Sequence, residues 1–209
     1  MTKLVDLTVT QFMETLGSDA PAPGGGSASA LSGSMGISLV KMVTELTIGK
    51  KKYAEFEEEM LTIRDQASTL QTALLTSIDK DTEAFNGVSA VFAMPKDTDE
   101  QKAERSAALQ EALKRATLVP YEVMELLVKA LCVTKGAVGK SNTNAASDLG
   151  VGAVNLKSAL QGAWLNVLIN LSGIKDEQFV QEYKNKGKEL LEEGSALADH
   201  IYQIIEESV

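Results

Sequence analysis

The sequence predicts an all-α bundle of about six helices, two of them buried and rich in small residues. Three observations carry that expectation. Apolar residues recur at three- and four-residue steps over most of the chain, the period of a helix face. One segment runs from Tyr53 without a proline or a glycine until Gly87. No strand-forming stretch, internal repeat or low-complexity tract interrupts the pattern. At 209 residues the chain is long enough to bury a core as one domain, residues 1–209.

Leu7, Phe12 and Leu16 predict a short amphipathic helix at the start. It leads into Pro21-Ala22-Pro23-Gly24-Gly25-Gly26, a turn that is not expected to hold a helix, with Ser27 placed as N-cap of the next one. There Ala28, Leu31, Ser32, Met35, Leu39, Met42, Val43 and Leu46 mark the expected core stripe. Ser29, Gly33 and Gly36 lower helix propensity and make sense where another backbone approaches closely. The helix is read as buried on more than one side, so a second subunit is expected to cover part of it. It stops at Gly49, before Lys50-Lys51-Lys52.

From Tyr53 to about Phe92 one seam can be followed through Phe56, Met60, Ile63, Ala67, Leu70, Leu74, Ser77, Asp81, Ala84, Val88 and Val91. Only Ser77 and Asp81 are polar in it, while Asp79 and Glu83 fall off the seam and are read as solvated. A carboxylate in an apolar seam must be paired, hydrogen-bonded or raised in pKa. Periodicity leaves two accounts equally open: a satisfied structural Asp, or a general acid or base in an enclosed pocket.

Ala103 to Lys135 is helical in composition, with a break or kink expected near Pro120 and an apolar stripe from Leu109, Leu113, Ala116, Val123, Leu127 and Ala130. Lys140 to Gly173 repeats the style of the central segment, a polar turn followed by a small-residue helix. Asn155, Asn166 and Asn170 interrupt its apolar run, and interhelical hydrogen bonding is the simpler account of them. Ile174 to Val209 reads as a final amphipathic helix with Phe179, Tyr183, Leu190, Leu197, Ile201 and Ile204 on its apolar face. His200 is an ordinary surface or half-buried residue there.

Composition narrows the function. Acids outnumber bases 29 to 20, which argues against nucleic acid as the main partner. An anionic small molecule would need a local basic patch, and Lys50 to Lys52 supply one. One histidine and one cysteine, His200 and Cys132, do not make a zinc site of the usual kind, and a Ser-His-Asp triad is not expected. The lone Cys132 fits a reducing compartment, no signal peptide is visible in MTKLVDLTV, and the charge-free stretch Ala20 to Val40 is too full of Gly, Pro and Ser for a membrane span. The expectation is a cytoplasmic protein with no membrane partner. Gly24 to Ser27 opens a helix whose free N–H groups could take an anion, although such a turn is more often only a turn.

Together PAPGGGSASAL, MVTELTIGKKKY, DKDTEAF, MPK, SNTNAASD and NVLINL, spread over most of the chain, resemble the formiminotetrahydrofolate cyclodeaminase and methenyltetrahydrofolate cyclohydrolase family. The resemblance implies an all-helical fold, a homodimer or higher homo-oligomer, and a folate bound near the subunit interface, with or without a polyglutamate tail. It implies no metal and no cofactor, a tetrahydrofolate derivative being the substrate. It also implies that the second aspartate of D-x-D-x-x-A-F is catalytic, and that position is Asp81, which the seam singles out by another route. By the same resemblance Gly24, Gly25, Gly26, Ser27, Lys50, Lys51, Asn142, Ser147, Asp148, Asn166 and Asn170 help form the pocket, with Lys52 and Lys96 secondary. A cyclohydrolase is the favoured activity, since no formiminotransferase segment is present in the chain. A cyclodeaminase is the alternative, and a non-catalytic folate-binding scaffold a further one.

Overall fold

The computed structural model describes residues 3–209; Met1 and Thr2, part of the start read above, lie outside the described residues. Six α-helices follow one another: α1 Val9–Leu16, α2 Gly25–Glu45, α3 Glu57–Phe92, α4 Asp99–Ala137, α5 Ala146–Leu171 and α6 Glu177–Glu206. Short 3-10 turns occupy Leu4–Asp6, Lys51–Phe56 and Thr143–Ala145. Local chemistry starts several helices. Thr8 and Thr98 form capping boxes with Gln11 and Gln101, and Asp176 caps α6.

The α3 seam is the spine of the core. Met60, Ile63, Ala67, Leu70, Leu74, Ser77, Val88 and Val91 are all buried along it. Asp79 departs from expectation: it is half-buried and accepts a hydrogen bond from the Leu4 N–H at 2.7 Å, tying the N-terminal turn to α3.

α2 and α5 pack antiparallel at the centre of the bundle. The Gly36 and Gly152 backbones meet there: a Cβ on Gly36 would lie 2.9 Å from the Gly152 carbonyl oxygen. The face of α2 that packs inward is therefore the small-residue one, including Ala30, Gly33, Gly36, Ile37 and Val40. This reverses the expected stripe. Met35 is 48% exposed, Met42 and Leu46 are exposed as well, and only Val43 of the large expected set is fully buried. Close helix approach uses up the small side chains and turns the bulky ones outward. On α5 the exposed Val151, Val154, Leu165 and Ile169 continue that apolar surface.

Three further expectations are corrected. α2 begins at Gly25 with Gly24 as N-cap, so Ser27 lies inside the first turn rather than capping it. α4 runs through Pro120 without a break. The proline lacks the N–H that would bond to the Ala116 carbonyl, and the Asn170 amide donates to that oxygen at 2.8 Å instead. On α6 Ile201 is buried as expected, but the next buried residue is Ile205 and not Ile204, because the buried side steps by four residues from Ile201. Among the described residues no helix is long and apolar enough to cross a membrane.

Candidate functional site

Asp81 lies near the end of the α3 seam and faces the first turn of α2. A helix start leaves N–H groups without partners, and Gly24 has no side chain with which to cap them. Asp81 takes that role from 54 residues away: the Ser27 N–H donates to its Oδ2 at 2.8 Å. The Ser27 hydroxyl stands 3.1 Å from the same oxygen and 2.8 Å from the Ile78 carbonyl. This approach is possible only because residue 26 is glycine. A Cβ there would overlap Oδ1 and lie 2.6 Å from Oδ2.

Burial pushes the Asp81 carboxyl above its ordinary value. The hydroxyl and N–H of Ser27 pull it the other way without cancelling the effect. Oδ1 has no hydrogen-bond donor among the described residues, and Asp81 is one of the residues that line a cavity of about 290 Å³. The Pro21-to-Gly26 turn forms one wall, Thr82, Phe85 and Val88 of α3 another, and Asn166, Ile169 and Asn170 of α5 a third. Among the described residues no other titratable side chain lines it. The result is a lone carboxyl of raised proton affinity in a mostly apolar chamber, a fitting arrangement for moving one proton to and from a bound molecule.

The structure thus gathers Gly24, Gly25, Gly26, Asp81, Asn166 and Asn170 around one cavity. Ser27 belongs to the group in another way. It is fully buried and spends its polar atoms on Asp81 and Ile78 rather than on the cavity. The amide of Asn166 donates to the Gly162 carbonyl, and its side chain faces Gly25. That of Asn170 serves Ala116, the interhelical bond expected from spacing.

The remaining candidates lie elsewhere. Lys50, Lys51, Asn142, Ser147 and Asp148 sit at the opposite end of the antiparallel α2–α5 pair, about 30 Å away along the 21 residues of α2. Asn142 links the turns there, donating its amide to the Leu46 carbonyl at 3.1 Å and its N–H to the Thr47 hydroxyl at 2.9 Å. Tyr53 joins them as well: its oxygen accepts the Thr143 N–H at 2.9 Å, and hydrogen bonds from the Thr143 hydroxyl and N–H draw the phenol down to about 8. Lys50 and Lys51 are exposed beside this knot.

Sequence reasoning missed Thr82, Phe85 and Ile169 as cavity residues. The signal was present for two of them, since Phe85 falls one helical turn after Asp81 and Ile169 three residues after Asn166. A larger groove of about 960 Å³ between α3 and α4 has an apolar floor of Ile63, Leu70 and Val128, and Asp81 lies outside it.

Residues 8–189 match the sequence profile of the family described as formiminotransferase-cyclodeaminase. The chain belongs to that family. It is 40% identical over 202 residues to the methenyltetrahydrofolate cyclohydrolase of Methylorubrum extorquens, covering 97% of each chain. It is 34% identical over 197 residues to the formimidoyltransferase-cyclodeaminase of Gallus gallus, covering 93% of this chain but only 36% of that longer protein. Both are named as enzymes. The crystal structure of formiminotetrahydrofolate cyclodeaminase from Thermotoga maritima superposes with a TM-score of 0.80 at 30% identity, over 97% of this chain and 95% of that one. The helical fold expected from the sequence is the fold of that protein.

Proposed function

We propose that the chain is a folate one-carbon enzyme, a methenyltetrahydrofolate cyclohydrolase, with Asp81 as its general acid/base. The observation that carries the proposal is Asp81 itself, the one titratable side chain among the described residues that line the cavity, with no hydrogen-bond donor on its Oδ1. The full-length match to a protein named as that cyclohydrolase supports the choice of reaction. In the proposed step, Oδ1 takes a proton from water as the water oxygen bonds to the carbon bridging N5 and N10. The tetrahedral carbinolamine then collapses. Its hydroxyl proton leaves, a proton reaches N5 as the bond from carbon to N5 breaks, and 10-formyltetrahydrofolate forms with net release of one proton. No metal or redox cofactor enters this scheme.

The alternative is a formiminotetrahydrofolate cyclodeaminase, in which N10 closes onto the formimino carbon and ammonia leaves. The similarity to the Thermotoga maritima protein favours it. Both reactions pass through a tetrahedral carbon between two nitrogens, so the same carboxyl serves either.

The active assembly is proposed to be a homodimer, with the folate's glutamate tail drawn by the lysines. Two observations support this. A cavity of about 290 Å³ is at the small end for a ligand site and too small for a pterin, an aminobenzoyl group and a glutamate together. The exposed apolar surface of α2 and α5 runs between the cavity and the lysine end. A two-fold axis across it would set Lys50 and Lys51 of one copy beside Asp81 of the other.

The test follows loss of methenyltetrahydrofolate by its near-ultraviolet absorbance against the uncatalysed rate, with ammonia release from formiminotetrahydrofolate measured in parallel. Asp81→Asn is expected to fold, bind folate and lose about 10²- to 10⁴-fold in turnover. Wild-type turnover in that variant would falsify the assignment, and folate binding without turnover in the parent protein would leave a scaffold.

A further inference from the structure

Ser27 has one hydroxyl proton and two acceptors within reach. The Ile78 carbonyl lies 2.8 Å from its Oγ and Asp81 Oδ2 lies 3.1 Å away. The Thr82 hydroxyl is 3.3 Å from the same Oγ and can donate into it. The Ser27 N–H is already committed to Oδ2, so only the hydroxyl has a choice. A hydroxyl rotor turns to suit its surroundings. Its bond to an ionised carboxylate is roughly twice as strong as its bond to a neutral acceptor. When Oδ1 carries a proton that advantage disappears, and the nearer Ile78 carbonyl wins.

We propose that Ser27 is a positioning residue whose hydroxyl proton follows the charge on Asp81, donating to Oδ2 while the carboxylate is ionised and returning to the Ile78 carbonyl when Oδ1 is protonated. The proposal rests on the reading of Asp81 as the acid/base group and adds how that group is poised. In either protonation state the Ser27 hydroxyl has an acceptor and Oδ2 keeps the Ser27 N–H, without movement of any heavy atom, so this side of the carboxyl follows the cycle with little reorganisation. Thr82 keeps the Ser27 oxygen supplied with a donor in either position. The groups facing Asp81 from other elements are uncharged: the Ser27 hydroxyl and N–H from α2, the amides of Asn166 and Asn170 from α5, and Ala116 from α4. On α3 itself Asp79 is held by Leu4 and Glu83 is exposed. Any charge that a second subunit brings is common to wild type and variants, so a difference between their pH profiles reads the rotor.

The test is the acid limb of kcat/KM against pH, which reports the free enzyme, on whichever of the two folate substrates is turned over. Ser27 stabilises the ionised carboxylate, so removing its hydroxyl raises the proton affinity. In Ser27→Ala the limb is expected to move to higher pH by about one unit, a tenfold change. Ser27→Thr restores the hydroxyl and is expected to bring the limb back. Thr82→Val moves it the same way as Ser27→Ala, by less. A limb that stays put in Ser27→Ala overturns the proposal, as does a uniform loss of rate with the profile's shape unchanged, or a limb equally displaced in Ser27→Thr. If Ser27→Ala gives no cooperative melting, Thr82→Val decides: an upward shift supports the rotor and an unmoved limb overturns it. Asp81→Asn separates the two layers. Full activity there removes the underlying reading, whereas an inactive Asp81→Asn beside an unmoved Ser27→Ala limb removes the rotor alone.

Discussion

Gly26→Ala is the sharpest perturbation of the site, because it adds one carbon atom and no charge. A Cβ at 26 overlaps Asp81 Oδ1 and lies 2.6 Å from Oδ2, whereas ordinary contact begins at 3.4 Å. Asp81 must therefore retreat by about 0.8 Å or more, which carries the 2.8 Å contact from the Ser27 N–H to about 3.6 Å. At that length it is no longer a hydrogen bond, and a buried N–H without a partner costs about 1–3 kcal/mol. For a chain of this size each kcal/mol lowers Tm by about 2–4 °C, so a fall of roughly 2–12 °C is expected. Turnover should fall about 10²-fold, the usual penalty for displacing a reacting group by an ångström. The control is Gly87→Ala on the same helix as Asp81, where a Cβ meets nothing within 4 Å. That change should leave turnover intact and stabilise by about 0.5–1 kcal/mol. Thermal melts and steady-state rates of the two variants decide the matter. Wild-type kcat in Gly26→Ala would refute the claim that Asp81 must sit against the first turn of α2 to work.

The bond between Asn170 and Ala116 predicts a coupled pair. Asn170→Leu should cost about 1–3 kcal/mol in denaturant unfolding by orphaning the Ala116 carbonyl, and much less in a Pro120→Ala background, where the new N–H reaches that oxygen. Equal penalties in both backgrounds would show that the amide does not stand in for the missing proline N–H. The shared-site reading predicts complementation. Asp81→Asn mixed with the double variant Lys50→Glu, Lys51→Glu should recover about a quarter of the wild-type rate below saturation, since half the dimers are mixed and half of their sites are intact. No recovery from subunits shown to have exchanged would place both halves of the site in one chain. Met35→Lys combined with Leu165→Lys should shift the sedimenting species from dimer to monomer and lower turnover with it; an unchanged sedimentation coefficient would move the interface off the α2–α5 face.

The parts legible in the sequence are those set by local period. The α3 seam could be followed because apolar side chains alternate by threes and fours, and Asp81 stood out as a polar residue among them. The α2 helix was half legible: Gly36 does stand where another backbone approaches, as expected, but the stripe of large side chains was misread, since they carry the visible period while the small ones carry the packing. The start of α2 was misread because its cap comes from Asp81, a tertiary contact that leaves no local trace. Pro120 should break a helix, yet the carbonyl it frees is met by an amide 54 residues away. Motif spacing also could not show that the candidates fall into two groups. Which end of α2 each motif occupies depends on the antiparallel course of α5, and that is a property of topology.

A carboxylate that caps a helix and also moves protons faces opposed demands, and the geometry shows how they are divided. The N-terminus of α2 favours the anion, and the Ser27 N–H binds it on Oδ2. Burial favours the neutral acid and is the larger influence on its pKa. Oδ2 therefore performs the structural task, and Oδ1, without a donor, is left for chemistry. The division explains why two substitutions at the same position should differ. The amide side chain introduced by Asp81→Asn still offers a carbonyl oxygen to the Ser27 N–H, so that variant keeps the cap and removes only the titrating charge. Asp81→Ala removes both, and should add the penalty of an unpaired buried N–H, about 1–3 kcal/mol, to the same loss of turnover. If the two variants melted alike, the cap would carry no stability and the glycine at position 26 would need another explanation.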